Sequence, residues 1–504
     1  MSLKRNILAN YVSQIYVTIS GIVMVPLYLK YMGAEAYGLV GFFAMLQAWF
    51  SLLDMGLTPT MARETARFRG GATDALSYRR LVRALEGIFL VAALAGGVVL
   101  FSASGYIAND WLHASQLPIP EVQTAIRLMA VIIAMRWMCG LYRGTISGSE
   151  RLVWLGGYNS LIATVRFIGV LLVLIFIGTT PTIFFSYQLG VAVLELAGLL
   201  FRAYRLLPTI PHDNRLSWSW TPLKPVLKFS LTIAFTSSVW VLVTQTDKLV
   251  LSRLLPLAEY GYFTLAVLVA SGVLVISGPV SGALMPRMAK LEAERDHDGL
   301  IRVYRQATQL VAVIAGAASV TAAFCAEPLL WAWTGDKALA HQAAPILVLY
   351  AIGNGILAVS AFPYYLQYAK GNLRLHLIGN AVFVVLLIPS IIWAASHYGG
   401  LGAGYVWLIM NLISFVAWLP FVHRKFEPGL NLRWYFEDVL IIFLPAAIAG
   451  FCLTEILPHS DNRWGQLGEV VITGVLIMLT GLMSSSSARE QLKRRWNVMA
   501  RSNL

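Results

Sequence analysis

Apolar residues in this chain come in long runs, and the polar residues fall between them. Runs at about 7–29, 37–58, 84–107, 122–142, 153–178, 181–202, 226–250, 259–282, 307–328, 342–366, 375–396, 399–421, 438–457 and 466–485 are set apart by charge clusters and by Gly and Pro. Each is close to the twenty or so residues that a helix needs to cross a bilayer. The pattern predicts an all-α integral membrane protein with about fourteen transmembrane helices.

Charge placement tests that count. The chain holds 38 Lys and Arg. With both termini placed in the cytoplasm, and with charges at a run's end counted with the segment they adjoin, five of them (Lys30, Lys248, Arg253, Lys337 and Arg463) fall in outer segments, and Arg127, Arg136 and Arg166 fall deeper inside runs. The remaining thirty are cytoplasmic, the asymmetry that membrane insertion favours. A missed or invented span would scramble the alternation beyond it, so an even number is expected. Lys4 and Arg5 before the first run imitate a signal peptide, but no small-residue cleavage site follows, and the run reads as a retained helix.

Composition agrees and narrows the function. Of 504 residues, 58% are hydrophobic and 12% charged, against roughly 25% charged in a soluble domain. The net charge of +13 is spread over many short loops, which suits anionic lipid headgroups and not a nucleic-acid groove. No loop exceeds roughly 30 residues, too short for a soluble catalytic domain, so any function lies between the helices. There is no phosphate-binding loop, no metal-ligand cluster and no nucleophile elbow, and no cofactor is expected. Cys139, Cys325 and Cys452 lie far apart in or beside apolar runs, as packing residues do.

The chain also echoes itself. Gly33-Ala-Glu-Ala-Tyr37-Gly38 is answered by Pro256-Leu-Ala-Glu-Tyr260-Gly261, and Gly148-Ser-Glu-Arg151 with Gly156 is answered by Gly371-Asn-Leu-Arg374 with Gly379, all at an offset of 223. Two distant matches in one register point to a duplication, and an offset spanning six helices preserves orientation. The expected organisation is a six-helix lobe over 1–222, a parallel six-helix lobe over 223–430, and two further helices with a basic cytoplasmic tail over 431–504.

An ionisable residue deep in a span is costly and faces a protein interior or a water-filled cavity. Arg166 lies mid-way along the fifth run and Glu195 mid-way along the sixth, joined by a very short turn. One reading is a cavity cation for an anionic substrate, with Glu195 tuning it or taking a proton. The other is a structural pair that lets both charges be buried. Arg136 either lines an inner vestibule or snorkels to the headgroups. Asp247 interrupts an apolar helix and is either an ion or proton site or one half of a helix-end salt bridge. Asp54, Gly56 and Pro59 close the second run as a hinge, with Gly278 and Pro279 as the corresponding breakers of the second half. Asn354, His376 and Asn411 are either polar cavity groups or helix–helix packing residues.

The opening Leu3-Lys-Arg-Asn-Ile-Leu-Ala-Asn-Tyr-Val-Ser-Gln14, the 33–38 hinge, Leu53-Asp-Met-Gly-Leu57, Asp247-Lys248, Glu259-Tyr-Gly261 and His397-Tyr-Gly-Gly-Leu-Gly-Ala-Gly404 together resemble the polysaccharide-transporter branch of the multidrug/oligosaccharidyl-lipid/polysaccharide exporter superfamily. The likeness covers about residues 1–430 and is greatest to O-antigen flippases. It implies two six-helix lobes like those of the superfamily's drug exporters, around a cavity that opens to each side in turn. It also implies an inner-membrane protein that moves an undecaprenyl-pyrophosphate-linked oligosaccharide from the cytoplasmic to the periplasmic leaflet, coupled to H+ or Na+ by antiport. Its partners would be the polymerase, the chain-length regulator and the ligase of the same pathway. On that reading Arg166 and Arg136 meet the anionic head. Many drug exporters of the superfamily carry an acidic residue in the first helix, and the peptidoglycan-precursor flippases depend on charges there. Residues 7–29 hold no charge, which lowers both rivals. A membrane polymerase or ligase would need a larger outer loop than the segments near 108–121 and 326–341 supply. A scaffold would leave the mid-membrane charges without a use.

Overall fold

The computed structural model describes residues 3–54, 56–209, 223–456 and 460–490, and among these residues the secondary structure is helical, with one isolated bridge between His113 and Pro256. In chain order the principal helices are α1 (Leu3–Met32), α2 (Ala34–Phe50), α3 (Leu57–Arg69), α4 (Ala75–Ser102), α5 (Ile119–Gly148), α6 (Leu152–Phe176), α7 (Pro181–Leu206), α8 (Leu223–Leu254), α9 (Leu257–Ala293), α10 (His297–Phe324), α11 (Ala326–Thr334), α12 (Lys337–Ala369), α13 (Arg374–Phe426), α14 (Leu430–Ile456) and α15 (Arg463–Ser484). Twelve helices among the described residues are long and apolar enough to cross a membrane. The chain is thus an all-α multi-pass membrane protein, as the apolar runs predict. The seventh run falls on α8, which is not among those twelve. The eleventh and twelfth both fall in α13, a 53-residue helix interrupted at Gly399, whose φ of 57° is open to glycine and strained for other residues.

Local chemistry starts and stops these helices. Asp74, Thr180, Asp296 and Asp336 each accept a backbone N–H from the first turn of the helix that follows, satisfying a donor the helix itself leaves open. Gly33 alone, at φ 84°, joins α1 to α2. The basic stretch after Asp54, expected to be a loop, is helix α3, because it buries Leu57 and Met61 fully on one face, with Thr65 beside them bonded to the Tyr78 hydroxyl. The backbone of α9 runs helical through Gly278 and Pro279, expected as breakers; their side chains lie outside the described residues.

The chain forms two compact units, Met1–Gly261 and Tyr262–Leu504. In the first, α3 is received by a glycine groove on α5. A Cβ on Gly140 would stand 2.6 Å from Thr58 Oγ1, one on Gly144 2.6 Å from the Thr58 carbonyl, and one on Gly148 2.2 Å from the Ala62 carbonyl. Small residues every fourth position let two backbones approach this closely. The groove fixes the α2–α3 junction beside α5.

At its other end the first unit is stitched through the repeated motif. A Cβ on Gly38 would lie 2.2 Å from the Leu257 carbonyl, and a Cβ on Gly261 2.9 Å from the Ala34 carbonyl. These four positions are related by the 223-residue offset, so the contact is reciprocal. Leu257 N donates to the His113 carbonyl (2.9 Å), Trp111 Nε1 to Ser252 Oγ (3.0 Å), and the buried Glu35 carboxylate accepts the backbone N–H groups of Ser115, Gln116 and Leu117.

The second unit has its own core, built on Tyr304, Phe362 and Trp434, each about fully buried. Its C-terminal helix is tied in by a buried polar chain. Asp438, 0% exposed, accepts from Arg305 Nε (2.6 Å) and Gln309 Nε2 (2.6 Å), and Gln309 Oε1 accepts from Ser485 Oγ (2.8 Å) and Ser487 N (2.9 Å).

Candidate functional site

The mid-span charges of the first unit converge. Glu195 on α7, whose side chain is 2% exposed, accepts from Arg166 Nη2 on α6 (2.5 Å) and from Arg143 Nη2 on α5, and Arg136 Nε on α5 lies 3.9 Å away. Gln188, two turns before Glu195, links the cations. Its Oε1 accepts from Arg136 Nη2 (3.0 Å) and its Nε2 donates to the Arg166 carbonyl (3.2 Å). The pair expected between Arg166 and Glu195 is present, but it is not neutral, because one carboxylate is shared by three guanidinium groups.

These groups line a cavity of about 520 Å³, walled by Gln47, Asp54, Thr58, Arg136, Arg143 and Arg166, with Ala234 and Ser238 of α8 completing the lining. Asp54 is committed locally: it accepts the Thr58 hydroxyl (2.6 Å) and the Thr58 backbone N–H (3.2 Å) across the left-handed Gly56 that starts α3, and Pro59 follows where its missing N–H costs nothing. The remaining charge is an excess of cation. The Nε–H of Arg136, Arg143 and Arg166 are each buried and lack a hydrogen-bond acceptor among the described residues.

Sequence reasoning placed Arg143 in a cytoplasmic loop. In the structure α5 continues to Gly148, and Arg143 follows Arg136 by seven residues, two turns on the same helix face. That spacing was the available signal. Gln188 had none beyond its polarity. Arg127 stands apart, bonded to Ser104 Oγ (3.3 Å) with its cation over Phe101.

The other candidates are held elsewhere. Asp247 is buried and accepts from the Lys248 backbone N–H (2.8 Å), with Lys248 Nζ at 3.4 Å. Asn354, His376 and Asn411 lie in the second unit. Asn354 accepts from Trp407 Nε1 (3.0 Å) and donates to the Ala270 carbonyl (2.9 Å); Asn411 donates to the Trp407 carbonyl (2.8 Å). His376 meets Asn380 through Nε2 (3.1 Å) and lies against the Tyr364 ring. All three bond within the helix packing.

Residues 3–292 match the family model described as "Polysaccharide biosynthesis protein". That is more than half of the chain. The chain belongs to this family. Within reach of the family is a protein of Shigella flexneri named "Putative O-antigen transporter", 20% identical over 429 residues, covering 83% of this chain and 98% of that protein. Among solved structures, the lipid II flippase MurJ in an inward closed conformation superposes with a TM-score of 0.74 at 16% identity, covering 94% of this chain and 97% of that one. A multidrug resistance MATE family transporter of the MOP superfamily, inward-facing, superposes with a TM-score of 0.63 at 13% identity, covering 82% and 96%. At these identities the two structures establish the fold alone: this member of the polysaccharide biosynthesis family has the helical architecture seen in MOP-superfamily transporters.

Proposed function

We propose that this chain is a flippase that carries an undecaprenyl-pyrophosphate-linked oligosaccharide, an O-antigen repeat unit or a similar surface-polysaccharide precursor, across the bacterial inner membrane. One observation carries the reading: Arg136, Arg143 and Arg166 line one cavity and share a single buried carboxylate, which leaves the wall an excess of cation. A pyrophosphate diester is doubly anionic, and taking such a charge through bare hydrocarbon costs on the order of tens of kcal/mol. A hydrated cationic cavity removes most of that cost, while the lipid tail stays in the bilayer. Family membership, the likeness to a protein named as an O-antigen transporter and the likeness to a lipid II flippase support the substrate class.

The mechanism we propose is alternating access. Two parallel six-helix lobes, 1–222 and 223–430, within about fourteen spans and with both termini cytoplasmic, would rock to expose the cavity to each leaflet in turn. Glu195 would compete with the substrate anion for the same arginines and so favour release. Asp247 remains a proposed site for a coupling H+ or Na+. Asn354, His376 and Asn411 remain proposed sugar contacts.

The test is the surface-polysaccharide ladder of a strain lacking this gene, complemented by wild type, Arg166→Ala or Arg143→Ala at matched membrane levels. Loss of the ladder with lipid-linked units accumulating inside, restored by wild type and by neither variant, is the expected result. An unchanged ladder with altered drug tolerance in the deletion strain would overturn the reading.

A further inference from the structure

Arg166 does not sit on a regular helix. Val165–Gly169 forms a π-helical turn within α6. Such a turn slips the hydrogen-bond register by one residue and leaves carbonyls poorly served. Here three successive carbonyls are taken by side chains of other helices. Val165 O accepts from the Tyr187 hydroxyl (2.8 Å), Arg166 O from Gln188 Nε2 (3.2 Å) and Phe167 O from the Tyr28 hydroxyl (2.8 Å). Glycine makes one of these possible, since a Cβ on Gly169 would fall 2.1 Å from Tyr187 Oη. The partner helix is held in the same way. The Tyr158 hydroxyl on α6 donates to the Leu194 carbonyl on α7 (2.8 Å), lying across Gly198, where a Cβ would stand 2.2 Å from Tyr158 Oη. Tyr158 precedes Gly169 by eleven residues, and Tyr187 precedes Gly198 by eleven. The antiparallel α6 and α7 therefore clasp each other at two equivalent points, on either side of the Arg166–Glu195 bond.

We propose that the Val165–Gly169 turn is the device that aims Arg166 into the cavity, and that Tyr28, Tyr187 and Gln188 are the positioning residues that hold it in the π register. Without those three donors the register relaxes to α. One residue of helix then turns by about 100° relative to its neighbours, enough to take the guanidinium off the cavity wall and away from Glu195. Tyr28 belongs to α1, so the hold depends on α1 staying against α6. Ser13 Oγ donating to the Gly156 carbonyl (2.8 Å) and Tyr16 Oη meeting Thr164 Oγ1 (2.7 Å) lie along the same α1–α6 seam, and neither touches a turn carbonyl. The proposal rests on the reading of the cavity as an anion site.

The test uses the purified full-length chain in detergent, with farnesyl pyrophosphate as the probe and affinity read by thermophoresis. Tyr28→Phe and Tyr187→Phe each remove one hydroxyl and leave the ring. Each is expected to weaken binding about fivefold, the equivalent of one ordinary hydrogen bond. Tyr16→Phe, on the same seam, is expected to leave affinity unchanged. In an Arg166→Ala background, itself weakened, neither tyrosine variant is expected to weaken binding further, because residues that act through one group are not additive. If the two variants bind as wild type, if they weaken binding equally in the Arg166→Ala background, or if Tyr16→Phe matches them, the positioning role is overturned while the anion site stands. If wild type and Arg166→Ala bind the probe equally, or wild type does not bind it, the anion site fails and the proposal falls with it.

Discussion

Glu195→Gln is the most informative single change. Glu195 is 2% exposed, and it is the carboxylate that Arg136, Arg143 and Arg166 share. Replacing it by the isosteric amide keeps the volume and removes the charge, so three cations are left facing one another. An opposite charge at about 4 Å is worth roughly 4 kcal/mol at the effective dielectric of a partly wet protein site, and breaking a buried pair from one side costs about 3–5 kcal/mol. The Arg143 side chain is 40% exposed and keeps much of its hydration, and Arg136 retains Gln188. The cost therefore falls at the lower end, about 3 kcal/mol, which for a unit of this size lowers Tm by about 6 °C. Arg166→Gln leaves Glu195 with Arg143 and costs about 1 kcal/mol or less. Most telling is the double variant: Arg166→Gln in the Glu195→Gln protein removes one of the three repelling cations and recovers about 1–2 kcal/mol. Thermal unfolding of the purified proteins in one detergent reads all four. A Glu195→Gln protein as stable as wild type, or a double variant less stable than Glu195→Gln alone, would refute the shared-carboxylate account.

Three further outcomes follow from the packing. Gly38→Ala drives a methyl to 2.2 Å from the Leu257 carbonyl and Gly261→Ala to 2.9 Å from the Ala34 carbonyl; both lower Tm, Gly38→Ala by more, and equal effects would show that the contact yields freely. Glu35→Ala strips the acceptor from three backbone N–H groups and is expected to cost at least about 2 kcal/mol, with faster hydrogen exchange confined to 113–118 and its surroundings. Gln309→Leu unties Ser485 and Ser487 from Asp438; exchange at 485–490 rises while the Tyr304–Trp434 core stays protected, and unchanged exchange would count against that anchor.

What the sequence made legible follows the range of the interactions involved. Run lengths and flanking charge give the class of fold, because crossing a bilayer is a property of about twenty neighbouring residues. The same reasoning loses the helix ends. Arg143 and the α3 segment are charged, so they read as loop, and only tertiary contacts make them helix: the Gly140–Gly144–Gly148 groove that receives α3, and Glu195 arriving from α7. Burial of charge is also legible in part. Arg166 and Glu195 stand out because mid-span ions are expensive, and their pairing follows from the short turn between their helices. Their stoichiometry does not, since it needs a third and fourth side chain from α5. The π-turn is the least legible feature of all. Nothing in Val165-Arg-Phe-Ile-Gly169 departs from ordinary helical sequence, and the slipped register is stable because Tyr28, Tyr187 and Gln188 reach its carbonyls from two other helices. A single Gly169, unremarkable in a membrane helix, is the trace it leaves in the sequence. Where a charge sits can thus be inferred from its own segment. Where it points is decided by residues of other helices, and it is the pointing that would separate a structural ion pair from a transport site.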